Sequence, residues 1–252
     1  MKQALKQRFK PKDHVPKVFG MRVPCDNYNK NKNERMKVIA INGSPHKDGN
    51  TAHSLQVVGE KLKANGIDFE VIHIGNKAIH GCIACGQCRV KQDGTCGIKN
   101  DALNEYIPSI READGIILAS PVHYSGIAGT MKSFLDRLFY VSGSNGNFFR
   151  HKVGSALAAV RRTGGSHTLD GLNHYLMYSE MMVASADYWN VVHGRSPGES
   201  KFDEEGMHTL DVLGDNMAWM LKMREATKIS VPAPSYNPKV MTSFIREDLK
   251  EK

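Results

Sequence analysis

Val38-Ile39-Ala40-Ile41-Asn42-Gly43-Ser44-Pro45-His46-Lys47-Asp48-Gly49-Asn50-Thr51 reads as a short apolar strand, a glycine-bounded loop and the start of a helix. An anion favours this arrangement, because the first turn of a helix carries unpaired N–H groups and the positive end of the helix dipole. Ser44 and Thr51 add hydroxyls, Asn50 adds an amide, Lys47 adds a cation, and the glycines let backbone approach a phosphate closely. A nucleoside triphosphate loop would place Lys where Asn50 stands and keep four residues between its glycines, whereas five separate Gly43 from Gly49. A dinucleotide fingerprint, G-x-G-x-x-G, is also absent from this turn. A monophosphate site remains, beside the plainer reading of a capped strand-to-helix turn.

Outward from this loop, apolar runs alternate with helical patterns. A helix is expected from about Thr51 to Ala64, a strand from Phe69 to Ile74, a helix from Asp101 to Glu112 and a strand from Gly115 to Ala119. Then follow a helix from Ile127 to Val141, a strand from Val153 to Val160, a helix from Leu169 to Met181, a strand around Val183 to Val192 and a helix from Glu204 to Arg224. Alternation of this kind means an α/β fold, a doubly wound five-stranded parallel sheet whose ligands bind at the carboxyl ends of the strands. Residues 37–230 form this domain, with a cysteine loop at 81–97, preceded by an extension at 1–36 and followed by a Pro-rich tail at 231–252.

Gly43-Ser44-Pro45 with Gly49-Asn50-Thr51, and Ser120-Pro121-Val122-His123-Tyr124-Ser125-Gly126 running on to Lys132, Phe134, Asp136 and Arg137, resemble two signatures of one family. It is the flavodoxin-like NAD(P)H-dependent FMN reductases, with their iron-sulfur flavoprotein branch. The resemblance covers residues 37–225 and implies a flavodoxin-like strand order of 2-1-3-4-5, bound FMN, transient use of NAD(P)H, and homodimers or homotetramers. It also implies Ser44, Lys47, Asn50 and Thr51 around the flavin phosphate, with Pro121, Val122, Tyr124, Ser125 and Gly126 bordering the isoalloxazine ring. His123 shares that loop and reads either as a ring neighbour or as a surface histidine. Arg161 and the segment Arg162-Thr163-Gly164-Gly165 resemble a third flavin loop, with the arginines near the flavin or an acidic substrate, or else solvated. A loop carrying Pro, Tyr and Gly can present backbone polar groups to the edge of such a ring and a flat face to its plane.

Cys82, Cys85 and Cys88, spaced C-x2-C-x2-C, are joined by Cys96 after seven more residues. Three thiols on one tight loop with a fourth nearby suit the corners of a 4Fe-4S cubane. Structural zinc more often joins two separate knuckles, and a redox dithiol or thiols without metal stay open as readings. The spacing is similar to the compact motif of the iron-sulfur flavoproteins. Cys25 lies apart and reads as an ordinary thiol.

Composition bounds these readings. The chain has 252 residues, 40% hydrophobic and 24% charged, and no apolar run near the roughly 18 residues of a membrane span. Five clustered cysteines and no apolar leader favour a reducing cytoplasm over a secreted disulfide framework. The formal charge of +8 sits entirely on residues 1–37, where eleven Lys and Arg meet only Asp13, Asp26 and Glu34. No recognition helix or stacking surface accompanies this basic arm, which argues against nucleic acid. The leading expectation is an FMN-dependent oxidoreductase carrying a 4Fe-4S cluster, which passes electrons between a small-molecule or protein donor and an acceptor. The cofactor supplies the reactive atom, so no catalytic side chain is expected. The alternatives are a cluster-free NAD(P)H-dependent FMN, quinone or nitro reductase, and a non-enzymatic carrier whose arm docks an acidic partner such as a ferredoxin.

Overall fold

The computed structural model describes residues 35–237 and 239–240. Cys25, nearly all of the basic extension and the end of the tail lie outside the described residues. The elements run β1 (Lys37–Asn42), α1 (Asn50–Ala64), β2 (Asp68–His73), α2 (Gln87–Lys91), α3 (Leu103–Glu112), β3 (Gly115–His123) and β4 (Gly126–Ile127). The chain continues through α4 (Gly129–Ser144), β5 (Val153–Val160), α5 (Gly165–Tyr178), β6 (Met182–Val183), β7 (Val191–His193) and α6 (Glu204–Thr227).

The parallel path is β2-β1-β3-β5, with β6 and β7 both pairing β5 on its far side. Counting only the long strands and treating β6 and β7 as one, this is the expected 2-1-3-4-5 order. Strand order turns between β1 and β3, and the loops leaving their carboxyl ends enclose the crevice where such sheets take ligands.

Period-two alternation divides the central strands between two cores. Ile39, Ile41, Ile116 and Leu118 join the layer under α3, α4 and α5, while Val38, Ala40, Ile117 and Ala119 join the layer under α1 and α6. Both faces are buried, so β1 and β3 are apolar almost throughout, as parallel strands require.

The expected fifth strand is a pair of short strands. Met182–Val183 pairs with Val153 and Gly154, and Val191–His193 pairs with Ala158 to Val160. Between them Asn190 is buried and donates its amide to the Ala156 carbonyl at 2.9 Å, while the Ser155 hydroxyl donates to the Ala184 carbonyl at 3.0 Å. Side chains replace the missing ladder bonds there. Helix α5 also starts earlier than expected, because Gly164 takes φ +91° and turns the chain into it. Among the described residues no helix is long and apolar enough to cross a membrane.

Candidate functional site: a phosphate-loop pocket and a four-cysteine pocket

Beyond β1, short hydrogen bonds shape the loop. The Asn42 side-chain oxygen accepts from the Ser44 N–H at 2.9 Å, the Ser44 hydroxyl oxygen accepts from the His46 N–H at 3.2 Å, and the Gly43 N–H donates to the Ala119 carbonyl at 2.8 Å. His73 Nε2 lies 2.7 Å from the Ser44 carbonyl, tying the loop to the end of β2. Helix α1 then begins at Asn50 with no side-chain cap and no acid in its first turn. Its first-turn N–H groups therefore have no side-chain acceptor, the state in which a helix N-terminus takes an anion.

The loop forms one wall of a pocket of about 260 Å³ through Ser44, His46, Gly49, Asn50 and Thr51. Pro121, Val122 and His123 of β3 form a second wall, and Ala159 and Arg161 from the end of β5 a third. The pocket closes with Gly194, Arg195 and Pro197, from the loop after β7. That loop is held by Asn50, whose side-chain oxygen accepts from the Ser200 N–H at 3.1 Å. Glu199 braces it from within, accepting from the Arg195 and Ser196 N–H groups at 2.6 and 2.8 Å, and these backbone hydrogen bonds hold its carboxyl below the usual range.

Other residues expected at the flavin do not line this pocket, although a Cβ on Gly164 would lie 3.0 Å from Val122 in its wall. Lys47 is exposed at the loop tip and does not line the pocket. Tyr124 is fully exposed in the two-residue turn between β3 and β4, at φ +51°, with Ser125 exposed beside it. Gly126 lines a separate recess with Lys132, His167, His174 and Tyr175. Arg162, Thr163, Gly164 and Gly165 line an open groove of about 420 Å³ together with Tyr188 and Trp189. Successive residues leaving a strand point to opposite sides, which is why Arg161 and Arg162 part company. Arg195, not singled out in the sequence, lies in the loop from His193 to Phe202, which reads from sequence either as shaping a pocket or as packing, and His193-Gly194-Arg195-Ser196-Pro197-Gly198 has the composition of a ligand loop following a strand.

The cysteines form a second site. Ala84 at φ +53° and Gly86 at φ +69° turn the chain sharply between them. Cys82 and Cys85 are exposed, whereas Cys88 and Cys96 are buried, and all four line one small pocket of about 20 Å³ with Arg137, Tyr140 and Val141 of α4. The Asn145 amide donates to the Cys88 carbonyl at 3.3 Å. Asn104 brackets Cys96, accepting from its N–H at 2.8 Å and donating to its carbonyl at 3.2 Å.

Arg137 lies behind this pocket with its side chain wholly buried. Its Nε–H donates to Cys96 Sγ at 3.3 Å, and its remaining N–H groups reach Asp101, the His80 carbonyl at 3.1 Å and the Ile98 carbonyl at 3.2 Å. Burial works against the charge of Arg137, but its hydrogen bonds to Asp101 and Cys96 prevail and hold its pKa above the ordinary arginine range. Burial likewise pushes the Asp101 carboxyl up, and hydrogen bonds from Arg137 and from the His80 and Leu103 N–H groups more than offset it, leaving its pKa low. Four thiols on one pocket form a donor set suited to an iron-sulfur cluster. As they stand, no three Cys, His, Asp or Glu among the described residues are gathered as a metal-binding group, so the thiols share a pocket without sharing a coordination sphere.

Comparison with known proteins agrees with these features. Residues 36–196 match the family model described as NADPH-dependent FMN reductase. An iron-sulfur flavoprotein of Methanocaldococcus jannaschii is 34% identical over 195 residues, covering 75% of this chain and 98% of the relative. Another, from Methanosarcina thermophila, is 28% identical over 186 residues, covering 71% of this chain and 95% of the relative. Among solved structures, a WrbA-like flavodoxin from Agrobacterium tumefaciens superposes with a TM-score of 0.51 at 15% identity, covering 75% of this chain and 99% of that one, a likeness of fold. The chain belongs to the NADPH-dependent FMN reductase family, in its iron-sulfur flavoprotein branch, and is a flavin-dependent oxidoreductase.

Proposed function

We propose that this oxidoreductase passes electrons between a reduced donor, NAD(P)H or a carrier protein, and an acceptor, using FMN in the phosphate-loop pocket and a 4Fe-4S cluster on Cys82, Cys85, Cys88 and Cys96. The observation that carries the reading is the shared pocket of the four cysteines on a domain that also has an uncapped phosphate loop. When bound, FMN supplies two-electron exchange and the cluster supplies one-electron exchange.

The chain's own residues bind and orient. Ser44, Thr51 and the first turn of α1 hold the flavin phosphate, while Asn50 fixes the loop that brings Arg195 to the pocket. Pro121, Val122 and His123 offer β3 backbone and side-chain surface to the ring, and Arg161, at the end of β5, adds positive charge to the pocket. The open groove bearing Tyr188 and Trp189 offers flat surfaces to a donor or acceptor with an aromatic ring. The reading also includes a cytoplasmic setting and assembly as a homodimer or homotetramer.

FMN titration followed by flavin fluorescence tests the pocket, with anaerobic reduction by NADH and by NADPH in the same cuvette. Stoichiometric quenching followed by bleaching of the flavin bands is expected. Failure to bind FMN would remove the basis of the reading. The ungathered sulfurs favour a second reading, a cluster-free NAD(P)H-dependent reductase, which the same cuvette shows as flavin bands without iron-sulfur absorption.

A further inference from the structure

We infer that Arg137 is a positioning residue for the cluster, which sets its reduction potential through the Nε–H···Sγ contact to Cys96. The inference rests on the proposed cluster. A guanidinium that served only to fasten the loop to α4 would need no more than its bonds to Asp101, His80 and Ile98. The Nε–H is additional and is directed at the sulfur of a buried ligand candidate, 3.3 Å away. Both members of the Arg137–Asp101 pair have side chains with no solvent exposure, so water does little to screen their charges.

Signs follow from charge. Reduction adds one negative charge to a cluster, so a neighbouring cation and an N–H donated to a ligand sulfur favour the reduced form and raise the potential. Asp101 works in the opposite direction, from farther away, because it meets the guanidinium at Nη1 while Nε faces Cys96. Replacing either residue by its uncharged counterpart therefore shifts the potential in opposite directions. A purely structural role yields no such pattern, since both variants would loosen the same loop.

The test is an EPR-monitored redox titration of anaerobically reconstituted protein, with iron and labile sulfide counted per subunit. Arg137→Gln is expected to move the cluster potential to more negative values, Asp101→Asn to more positive values, and Arg137→Lys to lie between Arg137→Gln and the unaltered protein. Iron-loaded variants with unshifted potentials, or with both shifted the same way, overturn the inference and leave the cluster reading standing. Unaltered protein that takes up no iron overturns both. Unaltered protein labelled with 15N-arginine provides a reading independent of how any variant folds. A nitrogen coupling to the reduced cluster in pulsed EPR is expected, and its absence overturns the role of Arg137.

Discussion

A methyl group at Gly75 would lie 1.9 Å from the Ser44 carbonyl oxygen, and both atoms sit on backbone that cannot swing aside. Gly75→Ala is therefore expected to cost about 1–3 kcal/mol, as overpacking does, and to weaken FMN binding by displacing the phosphate loop. Chemical denaturation and bound flavin per chain check both effects, and a variant with unchanged flavin content would mean the loop tolerates displacement. Arg195 is exposed on a braced loop, so its contribution to flavin binding is screened. Arg195→Ala should weaken FMN binding by about tenfold, equivalent to about 1.4 kcal/mol, with the gap narrowing at high salt. Asp101 carries the clearest pH dependence. Its folded pKa lies below the unfolded value, near 3.9 for an aspartate, so its stabilisation is present above about pH 4 and lost as pH falls through the folded value. Melting temperature measured from pH 7 to 3 should fall less steeply in Asp101→Asn than in the unaltered chain. At this scale the sequence disclosed residue types better than their partners. Ser44, Asn50 and Thr51 could be read from a turn, because adjacent residues form it. The Arg137–Cys96 contact joins residues far apart in the chain, and local spacing carries no mark of it.

Among elements, the two halves of the fifth strand depend on Asn190. It donates to the Ala156 carbonyl at 2.9 Å, and its backbone carbonyl accepts from the Ala158 N–H at 2.9 Å. Asn190→Ala keeps the second bond and leaves a buried carbonyl without the first, so a loss of about 1–3 kcal/mol is expected in urea denaturation. FMN affinity should also fall, because β7 leads directly into the loop that ends the pocket; intact affinity would show that this loop is set by Asn50 alone. Strands β1, β3 and β5 were legible because burial on both faces makes them continuous apolar runs. The break in the fifth strand was not, since Ala184-Ser185-Ala186 is compatible with a strand and only the Ser155 and Asn190 side chains reveal the gap. Helix α2 was hidden for a related reason: five residues between sharp turns give no helical period.

On the scale of the whole molecule, the doubly wound sheet sends its loops from the carboxyl ends of β1, β3 and β5 to one pocket, and the loop after β2 carries the cysteines. This much follows from the alternation of elements and the right-handed crossovers it imposes. The excess positive charge belongs to residues 1–37, so the remainder is balanced, with 23 Lys and Arg against 23 Asp and Glu. Both pockets are built from the described body. The measurement that bears most directly on an iron-sulfur flavin oxidoreductase is iron, acid-labile sulfide and FMN per subunit in protein purified without oxygen, repeated for Cys85→Ala and Cys88→Ala. About four irons and four sulfides beside one flavin are expected, with the iron lost and the flavin kept in both variants. Flavin without iron in the unaltered protein would contradict the cluster.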